Sequence, residues 1–378
     1  DSYDDFEENL PRAVVAAVEE CFNDAQSKGH ADQADILIFA ATEAEISEMQ
    51  EVLERHGPKH TEVLPLFARQ TYEEQQRIFQ PSGRGRRIVI ATNVAETALT
   101  VPGIRYVIDL GFARISRYSY RSRVQRLPIE AISQAAANQR KGRCGRVAPG
   151  VCIRLYSEED FNGRPEFTEP EILRTNLASV ILQMANLRLG SVEDFEFIEP
   201  PDSRLVADGH KLLDELGAIA SRDHRSTAPS NSRGQRKQGL DHLRLTATGQ
   251  KMARMPIDPR LARMLVAGSD FDCIREMLIV VAALAVQDPR ERPANKRQQA
   301  DQKHAEFRQE DSDFLFYLSL WKALFESDEN GNKLSSNQRK QFTKKNYLSF
   351  PRVREWHQTH RQLVQMVSDL KLTDVSDV

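Results

Sequence analysis

The sequence predicts an α/β lobe built on a parallel sheet, followed by a small helix–strand–helix unit and an all-helical C-terminal region. Three observations carry this expectation. Short apolar runs alternate with amphipathic helical segments over roughly the first 110 residues, longer helices take over from about residue 158, and a polar, basic stretch at 221–239 interrupts them.

Residues 12–27 carry an amphipathic helical pattern, and Asp35 then leads into ILIFA (36–40), a continuous apolar run suited to a strand buried on both faces. A helix follows, with Thr42 as N-cap and Glu45 at the capping-box position before Ile46, Met49 and Leu53. VLPLF (63–67), a helix over TYEEQQRIF (71–79), IVIAT (88–92) and YVIDLG (106–111) complete the alternation. Ligands of such sheets sit at the carboxyl ends of the strands, where Thr42, Thr92, Asn93 and Asp109 stand. On placement alone, a capping or turn role reads equally well for each of them.

Beyond residue 158, ILRTNLASVILQMANL (172–187) is apolar enough for a core helix, and HKLLDELGAI (210–219) reads as a helix stopped by Gly217. The stretch 221–239 reads as a loop or insert, and LRLTATGQKMARM (243–255) as a short strand followed by a helix capped by Thr246. Helix, loop, strand, helix fits a small winged-helix unit. PRLARMLVAG (259–268), CIREMLIVVAALAV (273–286) and DFLFYLSLWKALF (313–325) read as packed helices whose apolar stripes are core. The expected organisation is therefore 1–160, 161–258 and 259–378.

Composition narrows the function classes. Apolar residues at 40% and charged residues at 28% describe a globular protein, and no window approaches the roughly 18 apolar residues of a membrane span. The acidic start, DSYDDFEENL, is unlike a secretory leader. Four scattered cysteines offer no zinc spacing and read as free thiols in a reducing compartment. A net charge of −3 hides a basic block from Arg105 to Arg146, where ten Arg and Lys side chains face only Asp109 and Glu130, with Tyr118 and Tyr120 interleaved. The block reads as phosphate-facing surface.

The sharpest local signal is QRKGRCGR (139–146), with Arg143 and Arg146 three apart around glycines at the expected start of a helix. Phosphoryl transfer is promoted by cations aimed at charge developing on the γ-phosphate. By itself, a Gly-Arg run reads more readily as a solvated basic loop.

IVIATNVAETALTVPGIRYVID (88–109) and SQAAANQRKGRCGRVAPGVCIRLYSEEDF (133–161) resemble motifs V and VI of the DEAH-box, superfamily 2 RNA helicases. ILIFAATEAEI (36–46) resembles motif IV, and LTATGQKMARMPIDPRLARML (245–265) with ALAVQDPRERP (283–293) resembles the family's winged-helix and ratchet region, closest to the bacterial HrpA-type branch. The resemblance covers about residues 30–325 and implies a second RecA-like lobe, a winged helix and a ratchet-like bundle of a 3′–5′ RNA helicase that uses ATP and Mg2+. It places Arg143 and Arg146 as arginine fingers and Gln139 as a residue orienting phosphate or water. Phe79 falls where the adenine stacks, and Thr97 near the nucleotide. Thr42, Thr92 and Asn93 fall at RNA-backbone contacts. Arg114, Arg117, Arg121 and Arg123 fall in a strand-separating β-hairpin.

The chain contains no G-x-x-x-x-G-K-[ST] loop and no DEAH tetrapeptide. The resemblance assigns these, with the Mg2+ ligands, to a first RecA-like lobe in cis, so this chain alone is expected to be inactive. Pro102 stands where some relatives carry an Asp that reaches the ribose. Single-stranded RNA or a ribonucleoprotein, with a ribosome-linked role, is the implied partner of a cytoplasmic monomer. The alternatives are a non-catalytic RNA-binding or adaptor module and a nucleotide-sensing α/β domain without RNA.

Overall fold

The computed structural model describes residues 10–29, 35–68, 70–79, 85–97, 100–146, 148–220, 243–309, 312–327, 331 and 333–372. The expected insert at 221–239 lies outside them. By their contacts the residues fall into two compact units, one of Asp1–Arg117 with Gln125–Pro170, the other of Tyr118–Val124 with Glu171–Val378.

The first unit is a five-stranded parallel sheet of β1 (Asp35–Phe39), β2 (Thr61–Leu66), β3 (Arg86–Ala91), β4 (Ile104–Asp109) and β9 (Val151–Arg154), in the order β2-β3-β1-β4-β9. Side chains alternate across it. Ile36, Ile38, Ile88, Ile90 and Ile108 pack with α1 (Leu10–Ser27) and α2 (Glu43–His56), while Leu37, Phe39, Val89 and Val107 pack on the other face with Ile78, Ala95 and Cys144. Both faces are covered, which is why these strands read as unbroken apolar runs. The sheet is the parallel, doubly covered sheet that the sequence predicts. At its amino end Asp35 accepts from Arg87 Nε and Nη2 at 2.8 and 2.6 Å, fixing β1 against β3.

Local signals set the helix starts. Thr42 Oγ1 accepts from Glu45 N–H at 3.1 Å, as expected. The Glu45 carboxylate, however, takes the N–H of Ala41 at 3.0 Å, so the reciprocal half of the box sits one residue early. The complete box is at Thr71 and Glu74, opening α3 (Tyr72–Gln76).

After β4 the chain forms an antiparallel ribbon in two tiers, β5 (Phe112–Arg114) with β8 (Ile129–Ala131) and β6 (Arg117–Ser119) with β7 (Val124–Arg126). Then α4 (Gln134–Lys141) starts at Ser133, whose Oγ accepts from Ala136 N–H at 3.1 Å. Ala137, Arg140 and Cys144 form the buried stripe of this helix and the turn after it. Arg140 is therefore not part of a phosphate-facing surface: it is fully buried, with Nη1 on Asp109 at 2.7 Å, Nε on Glu96 at 3.1 Å and its guanidinium over the Phe39 ring at 4.8 Å. Asp109 is equally turned inward, accepting also from Gly111 N–H at 3.0 Å and Tyr156 Oη at 2.9 Å. A fully buried strand-end carboxylate with both oxygens engaged is a structural anchor and not a ligand contact. After β9, α5 (Glu158–Gly163) ends the unit's helices, and Arg164 ties Asp160 to the carbonyl of Gly111 at 2.6 and 2.8 Å.

The second unit is helical. The expected helix over 172–187 begins only at α6 (Ala178–Leu187), because Asn176 Oδ1 takes the N–H of Ala178 at 2.9 Å and starts it there. Then come α7 (Ser203–Glu215), a lone antiparallel bridge between Ile219 and Leu245, and α8 (Ala247–Ala253), capped by Thr246. The remaining helices are α9 (Pro259–Asp270), α10 (Ile274–Ala285), α11 (Arg297–Ala305), α12 (Asp313–Phe325), α13 (Ser336–Lys345) and α14 (Phe350–Asp369). Trp356 of α14 is fully buried and donates from Nε1 to the Ile279 carbonyl at 3.0 Å, which removes the penalty of burying an indole N–H. The DPRERP segment is a brace: Arg290 pairs with Asp288 at 2.5 Å and lies 4.8 Å over Phe316, and Arg292 pairs with Asp301 at 2.7 Å.

Two predictions follow from these packed charges. Arg140→Ala leaves Asp109 buried without its cation, so urea unfolding followed by circular dichroism should show a loss of about 3–5 kcal/mol. The second concerns pH. Burial lowers the imidazoles of His304, His357 and His360, the last from 6.5 to about 4, aided by neighbouring arginines. Because the folded values lie below the ordinary one, the unfolded chain binds more protons between about pH 6.5 and 4. The stability of the neutral histidines is complete above that window and is lost as pH falls. The urea midpoint read by tryptophan fluorescence should drop between pH 7 and pH 5, and His360→Gln should flatten the slope.

Candidate functional site

Pairing of Phe39 with Ala91 on one side and with Asp109 on the other brings the carboxyl ends of β1, β3 and β4 to one edge. The polar residues there behave differently. Thr42 is buried and its hydroxyl is engaged in the helix cap, so the capping reading describes it. Thr92 precedes a 3-10 turn at Asn93–Ala95 but makes no side-chain capping bond, and Asn93 and Thr97 are exposed. At a second 3-10 turn, Arg77–Phe79, Ile78 fills the core and leaves the Phe79 ring half-buried at the rim.

The QRKGRCGR segment does not start a helix; it ends one, with Gln139 to Lys141 in the last turn of α4. Helix α4 stops at Lys141, and turns occupy 142–145, because glycines at 142 and 145 make further helix costly. Cys144 points into the core and donates from Sγ to the Lys141 carbonyl at 3.0 Å. Gly150 lets β9 begin against this turn: a Cβ there would stand 2.2 Å from the Cys144 carbonyl oxygen. With Cys144 inward, Arg143 is half-buried and Arg146 exposed, the latter donating from Nη1 to Thr100 Oγ1 at 2.6 Å. Gln139 is exposed on α4.

Arg143 Nη1 is buried and no hydrogen-bond acceptor reaches it among the described residues. Burial, then Arg146, push its pKa down, and Glu96 opposes them. A guanidinium remains charged regardless. An orphaned, partly desolvated cation beside a second arginine is matched to an anion with several oxygens, such as a terminal phosphate. A metal ion has no such fit: no group of three His, Cys, Asp or Glu side chains among the described residues is placed to hold one.

The hairpin arginines divide. Arg117 is paired with Glu130 at 2.6 Å and with Glu169, and Arg123, in the left-handed conformation, is paired with Glu215 at 2.9 Å and Asp208 at 3.6 Å. Arg114 and Arg121 are exposed, Arg121 lying 5.9 Å from the Tyr120 ring centroid. Residue order did not reveal Glu96, Thr100 or the inward role of Arg140. Only Arg140 had a signal, its place three residues after Ala137 on the buried stripe of α4.

The two glycines near the arginine turn should respond oppositely to a methyl group. Gly150→Ala forces backbone apart and should lose about 1–3 kcal/mol in urea unfolding, while Gly145→Ala, whose Cβ would meet nothing within 4 Å, should change stability by less than about 0.5 kcal/mol.

Comparison with known proteins gives this geometry a family. Residues 15–148 match the helicase conserved C-terminal domain, and residues 258–317 match the helicase associated domain (HA2), ratchet-like. The chain is 52% identical over 361 residues to the ATP-dependent RNA helicase HrpA homolog of Haemophilus influenzae, covering 96% of this chain and 26% of that protein. It is 51% identical over 367 residues to ATP-dependent RNA helicase HrpA of Escherichia coli, again 26% of that protein. Over 329 residues it is 34% identical to the probable ATP-dependent RNA helicase DHX35 of Homo sapiens, 44% of whose length it covers. The chain thus spans about a quarter of the length of its two HrpA relatives. Two helicase domain matches in order along one chain, with this level of identity across nearly all of it, make this a chain of helicase C-terminal and helicase associated domains that is similar to HrpA-type RNA helicases.

Proposed function

We propose that this chain is the C-terminal part of an ATP-dependent RNA helicase that moves 3′ to 5′ along single-stranded RNA. The observation that carries the reading is Arg143, whose buried Nη1 has no acceptor and lies beside Arg146. ATP would bind between this lobe, residues 1–160, and a first RecA-like lobe in cis. Closure would set Arg143 and Arg146 on the γ-phosphate as charge develops there, with Gln139 orienting the phosphate or the attacking water. Phe79 would take the adenine on its open face, and Thr97 would stand near the nucleotide. Mg2+ would neutralise phosphate charge and is assigned to carboxylates of the first lobe.

Thr92 and Asn93 would bind the sugar-phosphate backbone through side chains not consumed by caps. Thr42 would contribute through its position at the same strand edge. Arg114 and Arg121 would meet phosphates directly, whereas Arg117 and Arg123 would first have to leave their carboxylates. Backbone contacts carry little sequence information, so broad RNA preference is expected. Within 161–258, α6, α7, the Ile219–Leu245 bridge and α8 support reading a winged-helix unit, and 259–378 is read as the ratchet-like bundle. No helix among the described residues is long and apolar enough to cross a membrane. A cytoplasmic monomer acting on ribonucleoproteins, including ribosome-linked ones, is the setting we assign.

The test is RNA-stimulated ATP hydrolysis by this chain alone and by the chain assembled with a matching first lobe. Activity should appear only in the assembled pair and fall at least about a hundredfold in Arg143→Ala and in Arg146→Ala. Undiminished turnover in both variants, or none from an assembled, RNA-bound pair, would leave a non-catalytic RNA-binding module as the better account.

A further inference from the structure

The second unit holds a cavity of about 680 Å3 between α10, α12 and α14. Its wall is unusual in combining stacked rings with cations. His357 stacks on Phe325 at 4.6 Å and 26°, and His360 lies 4.3 Å from the Trp321 centroid at 42°. Trp321 and Phe325 are in turn 4.5 Å apart and tilted, so four rings form one contiguous cluster, in which Trp321 is buried and Phe325, His357 and His360 are half-buried. Around it stand Arg275, Lys333 and Arg361, with Glu326 as the only carboxylate among the described residues lining the cavity. Glu326 engages Arg275 at 3.4 Å. Lys333 and Arg361 are both exposed. A further cation, Arg339, lies 5.4 Å over the Phe325 ring with its Nε buried and unpartnered.

Aromatic planes attract a flat π-system, and an excess of cations attracts an anion. One ligand class carries both at the spacing this cavity allows. We infer that the cavity between α10, α12 and α14 binds a nucleobase carrying a phosphate, the base lying on the His357 and His360 rings and the phosphate meeting Arg361 and Arg275. A cavity of this volume is within the range that holds a drug-sized or nucleotide-sized ligand. Burial keeps both imidazoles neutral at pH 7.5, so each presents one ring N–H and one lone pair and adds no charge beneath the base. The same chemistry is offered by a free mononucleotide and by one residue of a single-stranded RNA. The site involves neither Arg143 nor ATP hydrolysis, so it stands or falls separately from the motor reading.

Trp321 reports on it, since of the chain's two tryptophans it lines the cavity and Trp356 does not. Adenosine 5′-monophosphate, uridine 5′-monophosphate and a twelve-residue poly-uridine RNA would each be titrated into the chain at pH 7.5 without ATP, following tryptophan emission. Saturable quenching is expected, with a dissociation constant raised at least tenfold in Arg361→Glu, an exposed change whose fold is checked by circular dichroism. His357→Ala, read the same way, should weaken binding while leaving the Trp321–His360 contact. Quenching by mononucleotides assigns the site to free nucleotide, and quenching by the RNA alone assigns it to a strand. No saturable quenching by any probe at millimolar concentration, or binding unchanged in Arg361→Glu and His357→Ala, overturns the inference.

Discussion

The first unit depends on one buried ion pair. Arg140 reaches from α4 to Asp109 at the end of β4 and to Glu96 after β3, joining a helix to two strand ends, the Asp109 contact with no solvent to weaken it. Such a pair adds little net stability over apolar residues of the same size, because both charges had to be desolvated. What it confers is position. Helix α4 is held in one register against the sheet, Cys144 then falls into the core, and Arg143 is left half-buried beside an exposed Arg146. A freely placed basic loop would present the same residues in many arrangements, and orienting them would have to be done by the ligand.

The basic block from 105 to 146 shows how little a charge count says about a surface. Arg140 is interior, Arg117 and Arg123 are matched by carboxylates, and Arg146 holds a threonine hydroxyl. Arg143 stands apart as a cation with a buried donor that nothing in the described structure satisfies. Unsatisfied buried donors are rare in folded proteins and concentrate where a ligand completes the site.

The helical unit follows a related logic with rings instead of sheets. Tyr317, Trp321, Phe325 and Trp356 lock α10, α12 and α14 through edge and tilted contacts, and the histidines of α14 extend the stack towards solvent. Core packing and a polar cavity thus share the same side chains, which couples the protonation of His360 to both stability and the cavity's electrostatics.

The sequence by itself determined the elements whose causes are local. The strands of the sheet were legible because burial on both faces demands apolar residues in succession, and the caps at Thr42 and Thr246 because a hydroxyl three residues before an N–H is a local arrangement. Residue order also brought Arg143 and Arg146 forward through their spacing in QRKGRCGR and Thr92 and Asn93 through their place at a strand's end, while Phe79 came only from the family resemblance. Which polar groups face inward depends instead on contacts between distant parts of the chain. Arg140 and Asp109 are 31 residues apart and Arg140 and Glu96 are 44 apart, separations at which no periodicity links partners. The arginine turn lies after a helix and not at the head of one because Ser133 starts α4 early enough to exhaust it before Gly142. Burial of a charge is decided by distant partners, and chain order does not carry that information.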